Sequence, residues 1–196
     1  MELAFDEAAH VYTVDGRPVP CVSDIVAVYG AEITDELEQE LEAAAERGTV
    51  CHALLERYVQ GEYDAEFPDA YEAYVEGIRL FLAEHTISPI AAETPMYSER
   101  LGIAGTPDLL CEFDGVQALL DYKFVAQRAK TKVKAQLNAY REIYADNGVF
   151  VDALYAVQFL PGTYRLYPVK ADAEEFEAAL AVYRLKKRKH PRGMIG

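Results

Sequence analysis

Cysteine is scarce: there are three, Cys21, Cys51 and Cys111, odd in number, widely spaced and set among apolar or small residues. That pattern excludes a disulfide framework and reads as reduced thiols. Three thiolates also fall short of the four that an iron–sulfur cluster draws from one chain, so no such cluster is expected. Long apolar runs are missing too. No stretch of eighteen apolar residues occurs, and the opening MELAFDEAAH lacks the basic start and apolar core of a secretory signal. A soluble protein of the cytoplasm, or of a host cytoplasm if phage-encoded, is the expectation, with no membrane partner. There is no G-x-x-x-x-G-K-[ST], and no helix-turn-helix or zinc-finger spacing, so ATP-driven unwinding and base-specific readout would have to come from elsewhere.

Basic charge is short in the first part of the chain. The net charge is −14. Residues 1–120 hold 5 Lys/Arg against 25 Asp/Glu, a balance of −20, whereas residues 121–196 hold 14 against 8, a balance of +6. An acidic protein is a poor nucleic-acid ligand on average, but a dipolar one can present its basic part to a polyanion. A solvated acidic surface, as in a halophilic source, accounts equally well for the first half.

With 9 Pro, 12 Gly and about half its 196 residues apolar, the chain is long enough for one substantial core, and a single domain over 1–196 is expected. Alternation around the Asp15-Gly16 turn predicts an N-terminal hairpin, and Ser23 a cap for a short helix ending at Gly30. Helices are expected from Thr34 to Gly61, broken or kinked at Gly48, and from Asp69 to His85, making 34–85 a helical part. Period-two patterning then predicts strands at 90–99, 102–112 and 116–124 as a three-strand meander. A helix over 130–146, strands at 150–160 and 163–169, and a last helix from Asp172 into a basic tail complete the chain. The fold class is α/β: a mixed central sheet, the sheet core spanning 90–170, flanked by helices and preceded by the hairpin and helical segment.

The segment GTPDLLCEFDGVQALLDYK carries the sharpest inference. If Asp114-Gly115 is a two-residue turn, Phe113 faces Val116 and Asp108 falls opposite Asp121. Directly opposed residues have Cβ atoms roughly 4.5–5.5 Å apart, so two carboxylates there repel unless a cation lies between them. Hard divalent cations suit carboxylate oxygens and phosphates. Lys123 lies on the same face by the period of the strand. A wet sheet face also alternates Asp and Lys, but Leu119, Leu120, Phe124 and Val125 make this strand otherwise apolar. Pro107, which cannot donate to a ladder, complicates the register.

Pro107-Asp108, Asp121-Tyr122-Lys123 and Gln136-Leu137-Asn138-Ala139-Tyr140 together resemble the PD-(D/E)XK nuclease superfamily, in particular its RecB-type and phage lambda-type exonuclease branch. Arg47-Gly48-Thr49-Val50-Cys51-His52 is similar to that branch's glycine-then-histidine helix, so the likeness spans about 47–140. The resemblance implies a restriction-endonuclease-like core, with Mg²⁺ or Mn²⁺ held by Asp108, Asp121, His52 and the Tyr122 carbonyl. It implies Lys123 as catalytic lysine, and Gln136 and Tyr140 as residues positioning DNA or that lysine. Asp121 stands where many members carry Glu. Members with an iron–sulfur cluster use cysteines near the C-terminus, and none follows Cys111.

Several residues keep two readings. His52 on the apolar face with Val50, Leu54 and Leu55 is a ligand or a satisfied core histidine, and Glu93, which with Gly105 resembles the branch's stretch before its first acidic residue, is a site residue or structural. Arg128, Lys130, Lys132 and Lys134 form a phosphate-contacting lip or a solvated helix start. Lys186, Lys187, Arg188 and Lys189 contact DNA nonspecifically or complement the helix dipole. The expected function is a metal-dependent deoxyribonuclease, foremost an exonuclease acting on single- or double-stranded DNA ends in recombination, repair or phage DNA processing. Its rivals are a structure-selective endonuclease and a catalytically silent DNA- or protein-binding module. A helicase or single-strand annealing protein and a second copy of the chain are the expected partners besides DNA.

Overall fold

The computed structural model describes residues 1–30, 35–62, 66–124 and 130–189. The chain opens with β1 (Leu3–Asp6), β2 (Val11–Val14) and β3 (Arg17–Val19), a three-stranded antiparallel sheet where a simple hairpin was expected. Next come α1 (Val22–Val26), α2 (Asp35–Val59) and α3 (Glu72–Glu84), α3 entered through a 3₁₀ turn at Asp69–Tyr71. Strands β4 (Ile87–Ala92), β5 (Met96–Ser98), β6 (Ile103–Gly105), β7 (Leu109–Phe113) and β8 (Val116–Lys123) follow. The rest is α4 (Lys130–Asp146), β9 (Ala153–Leu160), β10 (Thr163–Val169) and α5 (Glu174–Lys189).

The central sheet has the order β10-β9-β8-β7-β4 and is mixed: β8 and β9 are parallel and every other pair is antiparallel. Parallel neighbours need a long crossover, and α4 supplies it. Helices cover both faces. Val22, Ile25, Leu137, Ile143, Phe176 and Leu180 from α1, α4 and α5 pack on Leu110, Leu119 and Ala156. On the other face Leu54, Leu55 and Tyr58 of α2 and Val75, Ile78 and Phe81 of α3 pack on Leu109, Cys111, Leu120, Tyr122 and Phe159. Strand alternation along β7 and β8 thus sends odd and even residues into different cores. None of the described helices is long and apolar enough to cross a membrane.

Asp114 (φ 50°) and Gly115 (φ 84°) both adopt the left-handed backbone that a type I′ turn demands. Phe113 pairs with Val116 and Leu109 with Leu120, the register expected from sequence, and its continuation sets Asp108 opposite Asp121.

Four local expectations are corrected. The three-strand meander does not form: the 90–99 stretch ends as a strand at Ala92 and the 102–112 stretch splits at Thr106-Pro107, so β4 pairs directly with β7 while β5 and β6 make a separate two-stranded ribbon. Glu93, at φ 43°, turns the chain out of the sheet, and Pro107 has no N–H for a ladder. The helix runs unbroken through Gly48. A mid-helix glycine costs only about 1 kcal/mol, and burial of Cys51, Leu54, Leu55 and Tyr58 offsets that. Ser23 lies inside the first turn of α1, whose N-cap is Cys21 with no side-chain cap bond. The last helix starts at Glu174, with Asp172 Oδ1 accepting from the Glu174 N–H at 3.1 Å. The cap expected at Thr34 lies outside the described residues.

Gly77 marks the closest approach of α3 to the sheet. A Cβ there would stand 2.5 Å from Thr163 O and 3.0 Å from Leu160 O, both backbone atoms of the β9–β10 turn, which the Gly162 N–H ties to Ala73 O at 2.6 Å. Overpacking costs about 1–3 kcal/mol and outweighs the ~1 kcal/mol gained from alanine's helix propensity. Gly77→Ala is therefore expected to lower the urea midpoint, with a net loss of up to about 2 kcal/mol.

Candidate metal centre and its surroundings

Asp108 sits one residue before β7, where Thr106-Pro107 releases the chain from the ribbon. Its Oδ2 accepts the Tyr122 N–H at 2.6 Å. This bond fixes the carboxylate against the C-terminal end of β8. Glu93 is brought alongside by its left-handed turn and by its N–H, which donates to Asp108 O at 3.1 Å. A non-glycine residue with such a backbone is strained unless its surroundings hold it there. His52 reaches the same point from α2, edge-on to the rings of Tyr122 and Phe124 at centroid distances of 5.9 and 5.3 Å. Its Nδ1 stands 3.5 Å from Glu93 Oε1 and 3.9 Å from Asp108 Oδ2. One ligand atom from each of His52, Glu93 and Asp108 lies within 4.8 Å of the other two, a spacing a single cation can bridge.

Asp121 is 1% exposed because it points, with Leu119, to the sheet face that α4 covers. Its Oδ2 is 2.6 Å from Lys123 Nζ, and Oδ1 receives no hydrogen bond from the described residues. Asp121 stands outside the group of three closely spaced ligand atoms. Burial pushes its carboxyl above the ordinary range, and the Lys123 ammonium pulls it back in part. Burial acts on Lys123 in the opposite sense, but the Asp121 and Asp108 carboxylates overcome it and hold the ammonium above its usual value. His52 follows the same pattern: burial lowers it, and Asp108 with Glu93 more than restores it. Three carboxylates thus face one ammonium and one imidazole.

From α4, Gln136 and Tyr140 meet one turn apart, Nε2 donating to the Tyr140 hydroxyl at 3.4 Å. Burial holds the Tyr140 phenol well above its ordinary value, so it stays protonated. Gly105 makes room for that ring, since a Cβ there would lie 2.7 Å from Tyr140 Cε1 and 3.0 Å from Val22 Cγ2. Gln136 and Tyr140 line a cavity of about 320 Å³ together with His52, Glu93 and Asp108. The sequence pattern did not point to the other side of this cavity, formed by Phe5, Glu7, His10 and Tyr12 of the N-terminal sheet with Ser23 and Thr106. Tyr12 and Thr106 share a hydrogen bond of 2.7 Å, and Thr106's place two residues before Asp108 is the one signal that would have suggested it.

The basic residues near the site are dispersed. Lys130 is exposed and Lys132 half-buried, and neither lines the cavity. Lys134 Nζ lies 2.7 Å from Glu175 and 3.5 Å from Asp172 at the start of α5, so its charge is met within the protein. Arg128 lies outside the described residues.

No protein-family model matches the chain, and no curated protein matches it. Among solved structures it is similar to SSO0001, with 18% identity over 88% of this chain and 77% of that one and a TM-score of 0.44. It is similar also to an alkaline exonuclease, LHK-Exo, from Laribacter hongkongensis, with 12% identity over 85% and 87% of the chains and a TM-score of 0.41. The same exonuclease in complex with dAMP gives 15% identity, coverage of 87% and 92%, and a TM-score of 0.38.

Proposed function

We propose that the chain is a metal-dependent nuclease that hydrolyses phosphodiester bonds, acting as an exonuclease on DNA ends. The observation that carries this reading is the convergence of His52, Glu93 and Asp108 within 4.8 Å of one another beside the buried Asp121–Lys123 pair. Among the described residues, three carboxylates against one lysine and one histidine leave an excess of negative charge, and Asp121 Oδ1 is a buried acceptor with no donor among them. A divalent cation answers both, and carboxylate oxygens with one imidazole suit Mn²⁺ or Mg²⁺. His52, Glu93 and Asp108 would hold it, with Asp121, outside that group of three, and the Tyr122 carbonyl as further donors. Bound there, such a cation polarises a phosphoryl oxygen and acidifies water.

The chain's own groups do the rest. Asp108, locked by the Tyr122 N–H, keeps its charge directed into the cavity. Lys123, kept protonated by Asp121 and Asp108, orients the attacking water and stabilises charge growing on the phosphoryl oxygens. Gln136 and the neutral Tyr140 phenol offer hydrogen-bond donors to the scissile phosphate. His52 packs edge-on against the rings of Tyr122 and Phe124, which restricts its orientation.

The test is degradation of end-labelled linear DNA and of a covalently closed circle by metal-stripped protein supplied with Mn²⁺ or Mg²⁺. Loss of label from linear DNA, with the circle intact, is the expected result. Nicking of the circle would make the enzyme an endonuclease, and inertness toward both substrates with either ion would overturn the reading.

A further inference from the structure

A second and larger groove, about 720 Å³, runs between the N-terminal sheet and the C-terminal half of α5. His10 and Tyr12 line both this groove and the cavity that reaches His52 and Asp108. The two spaces therefore share a wall. In a molecule of net charge −14 the far side of the groove is cationic: Arg184, Lys187 and Arg188, set against Asp24. Arg184 is anchored, donating from Nη2 to Leu101 O at 2.8 Å. Lys187 Nζ lies 5.4 Å from the centre of the Tyr183 ring. Neither Lys187 nor Arg188 is in an ion pair with another described residue. Compensation of the α5 dipole explains cations in the last turn; it does not explain why they wall a groove that shares His10 and Tyr12 with the cavity of the candidate metal centre.

We infer that this groove carries a single strand of nucleic acid to the site, its phosphates following Lys187 and Arg188 and its bases meeting the rings of Tyr183 and His10. The inference rests on the nuclease reading for its direction. Single-stranded tracks combine a positive groove with ring faces on which bases stack, and both elements are present. Each phosphate contact to a single strand also leaves a measurable mark, a salt slope of about 0.7.

The experiment measures binding of a fluorescent oligothymidylate of about 20 nucleotides by anisotropy, without added metal, across a KCl series. Lys187→Glu/Arg188→Glu is compared with wild type and with Arg79→Glu/Arg165→Glu, an equal charge change among the residues of α3 and β10. The groove variant is expected to bind at least about tenfold more weakly, with a salt slope shallower by about 1.4, while the control variant keeps the wild-type slope. With Mn²⁺ added, the groove variant's kcat/KM on the long strand should fall by the same factor relative to that on a dinucleotide. Wild-type affinity and slope in the groove variant, or an equal loss in the control, would overturn the inference. Tighter binding of duplex that depends on the same two residues would overturn the single-strand assignment. If the wild type hydrolyses neither strand nor dinucleotide, the nuclease reading fails, and the binding series still decides the groove.

Discussion

Lys123→Met is expected to lose both DNA hydrolysis and a large part of its stability, and the two losses have separable causes. Asp121 is 1% exposed, its Oδ2 lies 2.6 Å from Lys123 Nζ and its Oδ1 has no donor among the described residues. Removing one partner of a buried pair strands the other charge at a cost of about 3–5 kcal/mol. The variant limits that cost by protonating Asp121, whose folded-state pKa rises further once the ammonium is gone. A folded pKa raised above the unfolded 3.8 means the folded state holds the proton more tightly. Stability is then fully present below that value and declines as the pH rises through the folded one. Denaturant titrations of metal-free Lys123→Met from pH 4 upward should show this decline extending to higher pH than in wild type. Asp121→Leu/Lys123→Met, with no buried charge, should recover most of the stability and none of the activity. If the double variant stays as unstable as the single one, the buried ion pair is not the source of the loss.

Asp108→Asn should cut DNA hydrolysis by about a thousandfold or more while leaving the melting temperature of the metal-free protein within about a degree or two of wild type. The reasoning turns on the two jobs of one carboxylate. Oδ2 accepts the Tyr122 N–H at 2.6 Å, and an asparagine oxygen can accept the same bond, so the junction of β7 and β8 survives. What asparagine cannot supply is the negative charge 3.9 Å from His52 Nδ1. A variant that hydrolyses DNA at the wild-type rate would remove Asp108 from the chemistry.

Part of this site was legible because hairpin register is arithmetic. Asp114-Gly115 demanded a two-residue turn, the turn fixed Phe113 against Val116, and the same register continued past Leu109 and Leu120 sets Asp108 opposite Asp121. The helices also followed from their apolar spacing. The burial of Asp121 and its capture by Lys123 were not legible, because they depend on α4 folding back over the sheet face. A histidine on an apolar helix face is equally well a core residue, and only the convergence of α2 with the turn at Glu93 separates the two readings geometrically. Glu93 had weak support from its surroundings in sequence, since what places it beside Asp108 is a left-handed backbone at a non-glycine residue. The wall contributed by Phe5, His10 and Tyr12 arises from sequence separations of 40 residues and more, which periodicity does not report. Lys134 shows the converse: its place after the strand suggested a phosphate contact, whereas α5 packs its acidic first turn against it.

Calorimetric titration of Mn²⁺ into the metal-stripped protein tests the central claim most directly, because it asks whether the cluster holds a cation irrespective of substrate. One saturable site per chain is expected, weakened about a hundredfold or more in Asp108→Asn and measurably in Glu93→Gln. No saturable heat in the wild type, or an unchanged isotherm in Asp108→Asn, would contradict a metal centre formed by His52, Glu93 and Asp108.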